Sequence, residues 1–532
     1  MESPLRPSND PETAQTMTPT LQFLGGTDEI GASSLLLTIG AHRLIIDAGL
    51  RHKARKGLVT PTFEALSEIE PTGIVLTHAH LDHTGALPAL HRDYPTLPIY
   101  TTRATYRLIS LLLADSLKIM SLEVREGETP LFTQHDLERT LAHVLTVDFN
   151  EPIDLPSDDP ADRVTLTFEP AGHILGAGML IARSEGGDVC ISGDICATPQ
   201  LTIPAMSHRA LDVDTLVVES TYGGKTHRQR GPEEARIVRQ VRETVERGGS
   251  VLIPAFAIGR AQEVLLILIR AREAGELPEV PIYIDGLVRA VCGLYPRFPE
   301  LLSPWLRARI EGGLHPFYGG VAGARPIWDP AQRAKLTADP SPKVIIASSG
   351  MLIGGPSALY ARTMARRPKD LIAITGYQDE ESPGRAVQEL AKRGGGTLRL
   401  PDGDVELKCE VATYSLSAHS DTPQLIELIE RSGAERVILV HGAGGARDRL
   451  AEAIEDADVE VEVLTPSLGD TLTLSLSPSR LAGGRRVRRG APNPLDPFDS
   501  MQSSTQNSIQ SSSHSSNNTS THNTPHSRTP NA

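Results

Sequence analysis

Cysteine is scarce in this chain. Its four residues, Cys190, Cys196, Cys292 and Cys409, stand apart with no CxxC pair among them, which excludes a zinc ribbon and a disulfide framework and predicts buried thiols. Long apolar runs are missing as well. No stretch of about 18 apolar residues occurs, and the opening MESPLRPSNDPETAQTMTP has no apolar core behind a basic start, so neither a spanning helix nor a secretory leader is expected. The reading is a soluble, cytoplasmic chain with no membrane partner. Basic residues are outnumbered, 52 Lys and Arg against 66 Asp and Glu for a net charge of −14. That balance argues against a surface that binds nucleic acid all over, because phosphate contacts rest on Lys and Arg. A local basic groove is still compatible with it, and bound cations would neutralise part of the acidic excess.

What is present is a chain of 532 residues with 39% hydrophobic content, too long for one ordinary core, so two or more domains are expected. Residues 1–17 read as a flexible N-terminus. Over 18–221, β-branched runs alternate with turns: SSLLLTIG, HRLIIDAG, GIVLTHAH, RVTLTFEP, DVCISGD and DTLVVES. These are the strands of a layered sheet. Over 222–400 the texture changes. PEEARIVRQVRETVERGG sets Ile237, Val238, Val241 and Val245 on one helical face before a Gly pair. SVLIPAFAIGRAQEVLLILIRAREAG then reads as strand, Gly turn and helix, with VIIASSGM and LIAITGYQ as further strands. This stretch predicts an inserted α/β module whose helices cross between parallel strands. Strand-rich texture returns over 401–482, where ERVILVHGAGGARDRLAEAIEDA gives a strand, a Gly loop and a helix. Over 483–532, beginning with the four arginines of GGRRVRRG, Ser, Asn, Thr, Gln and Pro take over without periodicity, which predicts a disordered polar tail.

The stretch LTHAHLDHTGALPAL crowds His78, His80, Asp82 and His83 into six positions between an apolar run and a helix-like segment. Imidazoles and carboxylates at strand ends suit borderline metal ions, and HxHxDH can divide its side chains between two of them. His78 and His80 alternate in one direction, and a tightening turn sends Asp82 and His83 elsewhere. Two complete shells need further ligands, and the chain offers them at strand-to-loop boundaries: His173 in PAGHILGAG, Asp194 in ISGDIC and His441 in ILVHG. Each alone reads more readily as a surface or core residue; together they point to metal.

HxHxDH, the Gly-flanked His173 and the SGD of Asp194 resemble the metallo-β-lactamase fold. VVESTYGG, SLSAHSD and ILVHG are similar to its β-CASP branch, and VLIPAFAIGRAQE, SSGMLIGGPS and TGYQDEESPGR to that branch's cap domain. The resemblance implies an α/β fold class, an αββα metallo-β-lactamase sandwich with an inserted α/β β-CASP cap domain. It spans residues 18–480 and is closest in character to the cleavage and polyadenylation endonuclease subunit and to bacterial ribonuclease J-like enzymes. Carried over by position, it implies that His78, His80 and His173 hold one divalent cation and that Asp82, His83 and His441 hold another, with Asp194 between them. Zinc is the first choice and manganese the second. Asp47 in IIDAGL matches a residue that supports the ligand loop, and Glu219 matches the acid of ESTYG. His419 in SAHSD matches the general acid of the family, and Glu219 beside it would favour the imidazolium.

The activity implied is hydrolysis of phosphodiester bonds in single-stranded RNA, as an endonuclease, a 5′-to-3′ exonuclease or both, by water activated between two cations. Backbone amides around Ser349 and Gly350, with Arg260 and Arg385 as charge, are candidates for phosphate contacts in a cleft beside the inserted module. RNA-directed members have His at the position of His441, and DNA-directed members commonly have an apolar residue there. The alternative is a β-CASP DNA nuclease acting in repair. A non-catalytic scaffold would be expected to lose several ligands, and a hydrolase of small thioesters or lactams would not need residues 222–400. Many relatives follow VHG with an acidic residue, whereas Ala443 and a Gly pair follow here. A second copy of the chain is a further partner to consider.

Overall fold

Strict alternation along single strands builds the layers. In the strand His42–Ile46, Leu44 and Ile46 join a buried cluster with Phe168, Leu180 and Val217 of a facing sheet. Ile45 between them belongs instead to the cluster that holds Leu87, Leu90 and Leu108 of two helices. Successive strand residues point to opposite faces, so such a strand buries one face against a sheet and the other against helices. The computed structural model describes residues 18–51, 58–123, 129–159, 162–320, 322–401 and 403–476. The expected flexible N-terminus over 1–17 and the polar tail over 483–532 lie outside the described residues.

Two seven-stranded sheets face each other across that inner cluster. The first runs, in spatial order, Thr471–Thr473, Thr20–Gly25, Ser34–Ile39, His42–Ile46, Gly73–Val75, Ile99–Thr102 and Val144–Val147. The second runs Glu462–Leu464, Arg436–Val440, Thr215–Glu219, Val189–Ile191, Gly178–Arg183, Thr165–Pro170 and Ile153–Asp154. Each sheet therefore takes strands from before residue 222 and after residue 430, so the sandwich is closed by both ends of the described chain.

The intervening chain builds a third sheet of six strands, Arg325–Pro326, Ile282–Asp285, Val344–Ala347, Val251–Pro254, Leu371–Ile374 and Glu410–Thr413 in spatial order. Every neighbouring pair in it is parallel. All six strands consequently end on one crest, the edge of a parallel sheet where ligands gather. The helices Arg230–Glu246 and Arg260–Glu273 flank it, the first burying Ile237, Val238, Val241 and Val245 as its period requires. The strand Glu410–Thr413 belongs to this sheet although the texture assigns residues past 400 to the sandwich. Its parallel pairing with Leu371–Ile374 keeps it there.

Glu263 ties the two parts together. Its buried carboxylate accepts from the amides of Leu201 and Thr202 in the sandwich and pairs with Arg230. Of the four thiols, three are buried and Cys409 is half-buried; burial pushes the Cys190 thiol up to about 12, far from reactive. No helix among the described residues is long and apolar enough to cross a membrane.

Candidate metal centre

Loops leaving the C-terminal ends of the strands carry the polar residues singled out above. His78 and His80 follow Gly73–Val75, with Asp82 and His83 in the helical turn Leu81–Thr84. His173 follows Thr165–Pro170, Asp194 follows Val189–Ile191, and His441 follows Arg436–Val440. Asp47 and His441 both adopt left-handed backbone, at φ 63° and 53°, a conformation costing non-glycine residues about 1–3 kcal/mol. The chain accepts that cost where it turns sharply out of a strand to aim a side chain inward.

The structure brings all seven residues together. The donor atoms of His78, His80, His173 and Asp194 lie within 4.8 Å of one another, as do those of Asp82, His83, Asp194 and His441. Asp194 divides itself between the sets. Its Oδ2 lies 3.4 Å from His78 Nε2 and 3.6 Å from His173 Nε2, and its Oδ1 lies 3.4 Å from His83 Nε2 and 3.8 Å from His441 Nε2. His441 Nε2 is also 3.8 Å from Asp82 Oδ2. One carboxylate thus faces two imidazole sets with a different oxygen each.

The outer nitrogens are engaged elsewhere, which fixes the inward ones. His173 Nδ1 donates to the carbonyl of Ala418 at 2.7 Å, and His78 Nδ1 is 3.1 Å from Thr77 Oγ1. Asp47 accepts from the Thr77 amide and hydroxyl and lies 2.7 Å from His83 Nδ1. His441 Nδ1 lies 2.8 Å from Ser33 Oγ. Ser33 therefore supplies, from 408 residues away in sequence, the support that the missing acidic residue after VHG leaves open. Nothing in the GASS stretch announces that role, because only the fold brings Ser33 to His441.

Charge and burial set the protonation states. Burial, together with neighbouring His83, holds His78 well below the usual imidazole range, and burial with His419 does the same for His173. Burial opposes the anion of Asp194, yet the imidazoles of His441, His83 and His78 more than offset it and keep its carboxyl well below the usual range. His83 goes the other way: burial works against its imidazolium, but Asp194 and Asp47 raise it well above the usual imidazole range. A cation bound there would displace its proton, whereas neutral His78 and His173 are ready ligands. Nε2 of His78, His80 and His83 and Oδ1 of Asp194 are buried with no hydrogen-bond partner among the described residues. Buried polar atoms left unpaired cost about 1–3 kcal/mol each, and divalent cations are the partners that this set of nitrogens and oxygens fits.

A carboxylate–imidazole pair stands at the rim. Glu219, at the end of its strand, accepts from the amide of Ile195 at 2.9 Å and lies 2.9 Å from His419 Nδ1. Burial works against the His419 imidazolium, but Glu219, with Asp194 and Asp82 behind it, raises this residue to about 9. Its ring centroid lies 4.5 Å from that of His173 and 6.0 Å from that of Tyr222. His227, absent from the sequence reading, sits 3.1 Å from the His419 carbonyl and props the loop.

The crest of the cap meets this rim. A Cβ on Gly259 would lie 2.7 Å from Ile174, the residue after His173. Next to Gly259, Arg260 is buried with Nη1 unpartnered among the described residues, and burial beside Arg230 lowers its guanidinium to about 10. Ser349 Oγ is likewise buried and unpartnered. The Gly350 carbonyl accepts from Gln378, and Arg385 is half-buried in the first turn of Pro383–Lys392.

Gly172 allows His173 its position. It sits at φ +72°, and a Cβ there would stand 2.2 Å from the Met206 nitrogen and 2.4 Å from the Cys196 oxygen, both backbone atoms. Gly172→Ala should therefore cost about 2 kcal/mol or more in denaturant unfolding, from the left-handed conformation alone and the clash besides. An unchanged midpoint would show that the loop has room to yield.

Comparison with known proteins agrees with this architecture. A model for a metallo-beta-lactamase superfamily domain matches residues 36–192, one for a Beta-Casp domain 261–387, and one for a Zn-dependent metallo-hydrolase RNA specificity domain 404–466. The chain is 37% identical over 449 residues to transcription termination factor FttA of Thermococcus kodakarensis, covering 79% of this chain and 66% of that protein. It is 31% identical over 420 residues to a ribonuclease of Thermus thermophilus, covering 79% of this chain and 92% of that protein. The chain thus spans just under two thirds of the length of the Thermococcus factor. A solved protein of unknown function from Enterococcus faecalis V583 shares the fold, at a TM-score of 0.50 and 13% identity over 86% of this chain and all of that one. By these matches the chain belongs to the β-CASP family of the metallo-β-lactamase superfamily.

Proposed function

We propose that this protein is a metal-dependent ribonuclease that hydrolyses phosphodiester bonds of single-stranded RNA. The observation that carries the reading is Asp194, with one oxygen toward His78 and His173 and the other toward His83 and His441. His78, His80, His173 and Asp194 would hold one divalent cation, and Asp82, His83, His441 and Asp194 a second, with zinc favoured by five imidazoles and manganese the alternative. Cations bound there supply a lowered pKa for water and neutralise charge on phosphate oxygens.

The chain's own groups account for the rest. His419, with Nδ1 against Glu219, carries its free proton on Nε2 and donates it to the departing 3′ oxygen. Arg260, Arg385, the hydroxyl of Ser349 and the amide of Gly350 grip neighbouring phosphates along the crest, where Arg260 Nη1 and Ser349 Oγ have no hydrogen-bond partner among the described residues. Such contacts track the backbone and read no base, which suits a nuclease of broad sequence range.

RNA is favoured over DNA by His441, which completes the second set, and by the RNA specificity model that matches the segment containing it. The Thermus relative, named a ribonuclease, points the same way. The test is incubation of the purified protein with matched 5′-labelled single-stranded RNA and DNA, with and without chelator. RNA should be cut, chelation should stop it, and added zinc or manganese should restore it. Preferential cutting of DNA would overturn the reading in favour of a repair nuclease, and the fragment ladder would separate internal cuts from trimming.

A further inference from the structure

The chain has only two tryptophans, and both stand on the cap's surface with an arginine over the ring. Trp328 is 68% exposed, with the guanidinium carbon of Arg289 4.8 Å from its ring centroid. Trp305 is 36% exposed, with that of Arg309 at 5.7 Å. Tryptophan is buried on average, so an indole left this open is unusual. Packing does not explain Trp328: it follows the edge strand Arg325–Pro326 and precedes the helix Pro330–Ala338.

Its position on the cap sheet is informative. The Ile327 amide donates to the Ile284 carbonyl, extending the parallel ladder, so Trp328 lies level with the end of the neighbouring strand Ile282–Asp285. Trp328 therefore occupies the same crest as Ser349 and Gly350, which follow the next strand inward. At about 4.8 Å per strand the two lie about 10 Å apart along the crest. Asp285 makes this stretch rigid. Its carboxylate accepts from the Gly286 amide, Tyr360 and Arg333, which anchors the turn that leads to Arg289.

Arg289 has charge to spare. No carboxylate among the described residues pairs with it, and its Nε donates only to the Gly286 carbonyl. The Asp329 carboxylate, next to Trp328, is engaged in capping its helix through the Gln332 amide. Beside the pair, Tyr318 donates its hydroxyl to the Arg289 carbonyl and stacks on His315 at 4.4 Å and 29°. An open indole on the crest and a guanidinium over it without an acid match the chemistry of an unpaired nucleobase with its phosphate. A protein partner would use the indole but would not need the free charge, nor alignment with Ser349.

We propose that Trp328 and Arg289 form a stacking platform for single-stranded RNA leaving the cleft along the cap crest, holding a base on the indole and its phosphate on the guanidinium. The inference rests on the ribonuclease reading and adds an outer contact that short RNAs would not reach. It is tested in a Trp305→Phe background, where Trp328 is the sole indole. Phosphorothioate oligoadenylates of about 4 and about 12 nucleotides are titrated, lengths that bracket common single-strand site sizes. The longer oligomer should quench the fluorescence and the shorter should not, and Trp328→Ala should weaken binding of the longer by about tenfold, the weight of one base stack. Trp328→Phe should retain most of that affinity. Absence of quenching, equal quenching by a duplex of the same sequence, or unchanged affinity in Trp328→Ala would each overturn the platform. If the Trp305→Phe protein cuts short RNA in the same preparation, only the platform has failed; if it neither cuts nor binds RNA, the ribonuclease reading fails with it.

Discussion

Asp194→Asn should lose RNA cleavage by on the order of 10³-fold or more while its fold persists. Each oxygen of Asp194 faces a different imidazole set, and the amide that replaces it offers one neutral oxygen and an NH2 group that cannot ligate. The change is nearly isosteric, so packing is kept. What goes is the anion that balances bound cations, and several kcal/mol of transition-state charge stabilisation corresponds to on the order of 10³-fold in rate. Metal content by elemental analysis should fall together with activity, and circular dichroism should stay native. Asp82→Ala should act in the same direction from one side, since Asp82 approaches only His441 among the imidazoles in ion-pair range. If Asp194→Asn keeps wild-type cleavage and two equivalents of metal, the two-cation reading is wrong.

The histidines were legible in sequence because they stand where strands give way to glycine-rich loops, and such boundaries are visible as a change of pattern. His173, Asp194 and His441 could be picked out that way, and the helix carrying Ile237, Val238, Val241 and Val245 declared itself by period. The groups that hold those residues in place were not legible. Ser33 reaches His441 across 408 residues, and the Ala418 carbonyl reaches His173 across 245. A backbone oxygen or a lone serine has no spacing to betray it, and its role exists only once two sheets have closed. The strand Glu410–Thr413 was hidden for a related reason: pairing in a parallel sheet is decided by neighbours that arrive from elsewhere in the chain. The exposure of Trp328 likewise needed the sheet edge to be known.

His419→Ala should depress turnover by on the order of 10²-fold or more while changing RNA affinity little, the split that loss of a proton donor produces. The structure gives the proton its address. Nδ1 faces Glu219 at 2.9 Å, so the transferable proton is on Nε2, and the pair raises the imidazolium to about 9. The sign follows. A donor must be protonated, so kcat should hold through neutral pH and fall as pH rises through the value set by this pair. Positive charge from cations seated beside the ring works against Glu219, which puts that limb at or below 9. Glu219→Gln removes the largest raising influence, leaving burial, which lowers, opposed only by Asp194 and Asp82. Its alkaline limb should then move toward acid, and turnover at neutral pH should drop although His419 is intact. A Glu219→Gln profile superimposable on wild type would show that the leaving oxygen takes its proton from elsewhere. An unchanged rate in His419→Ala would remove this histidine from the chemistry altogether.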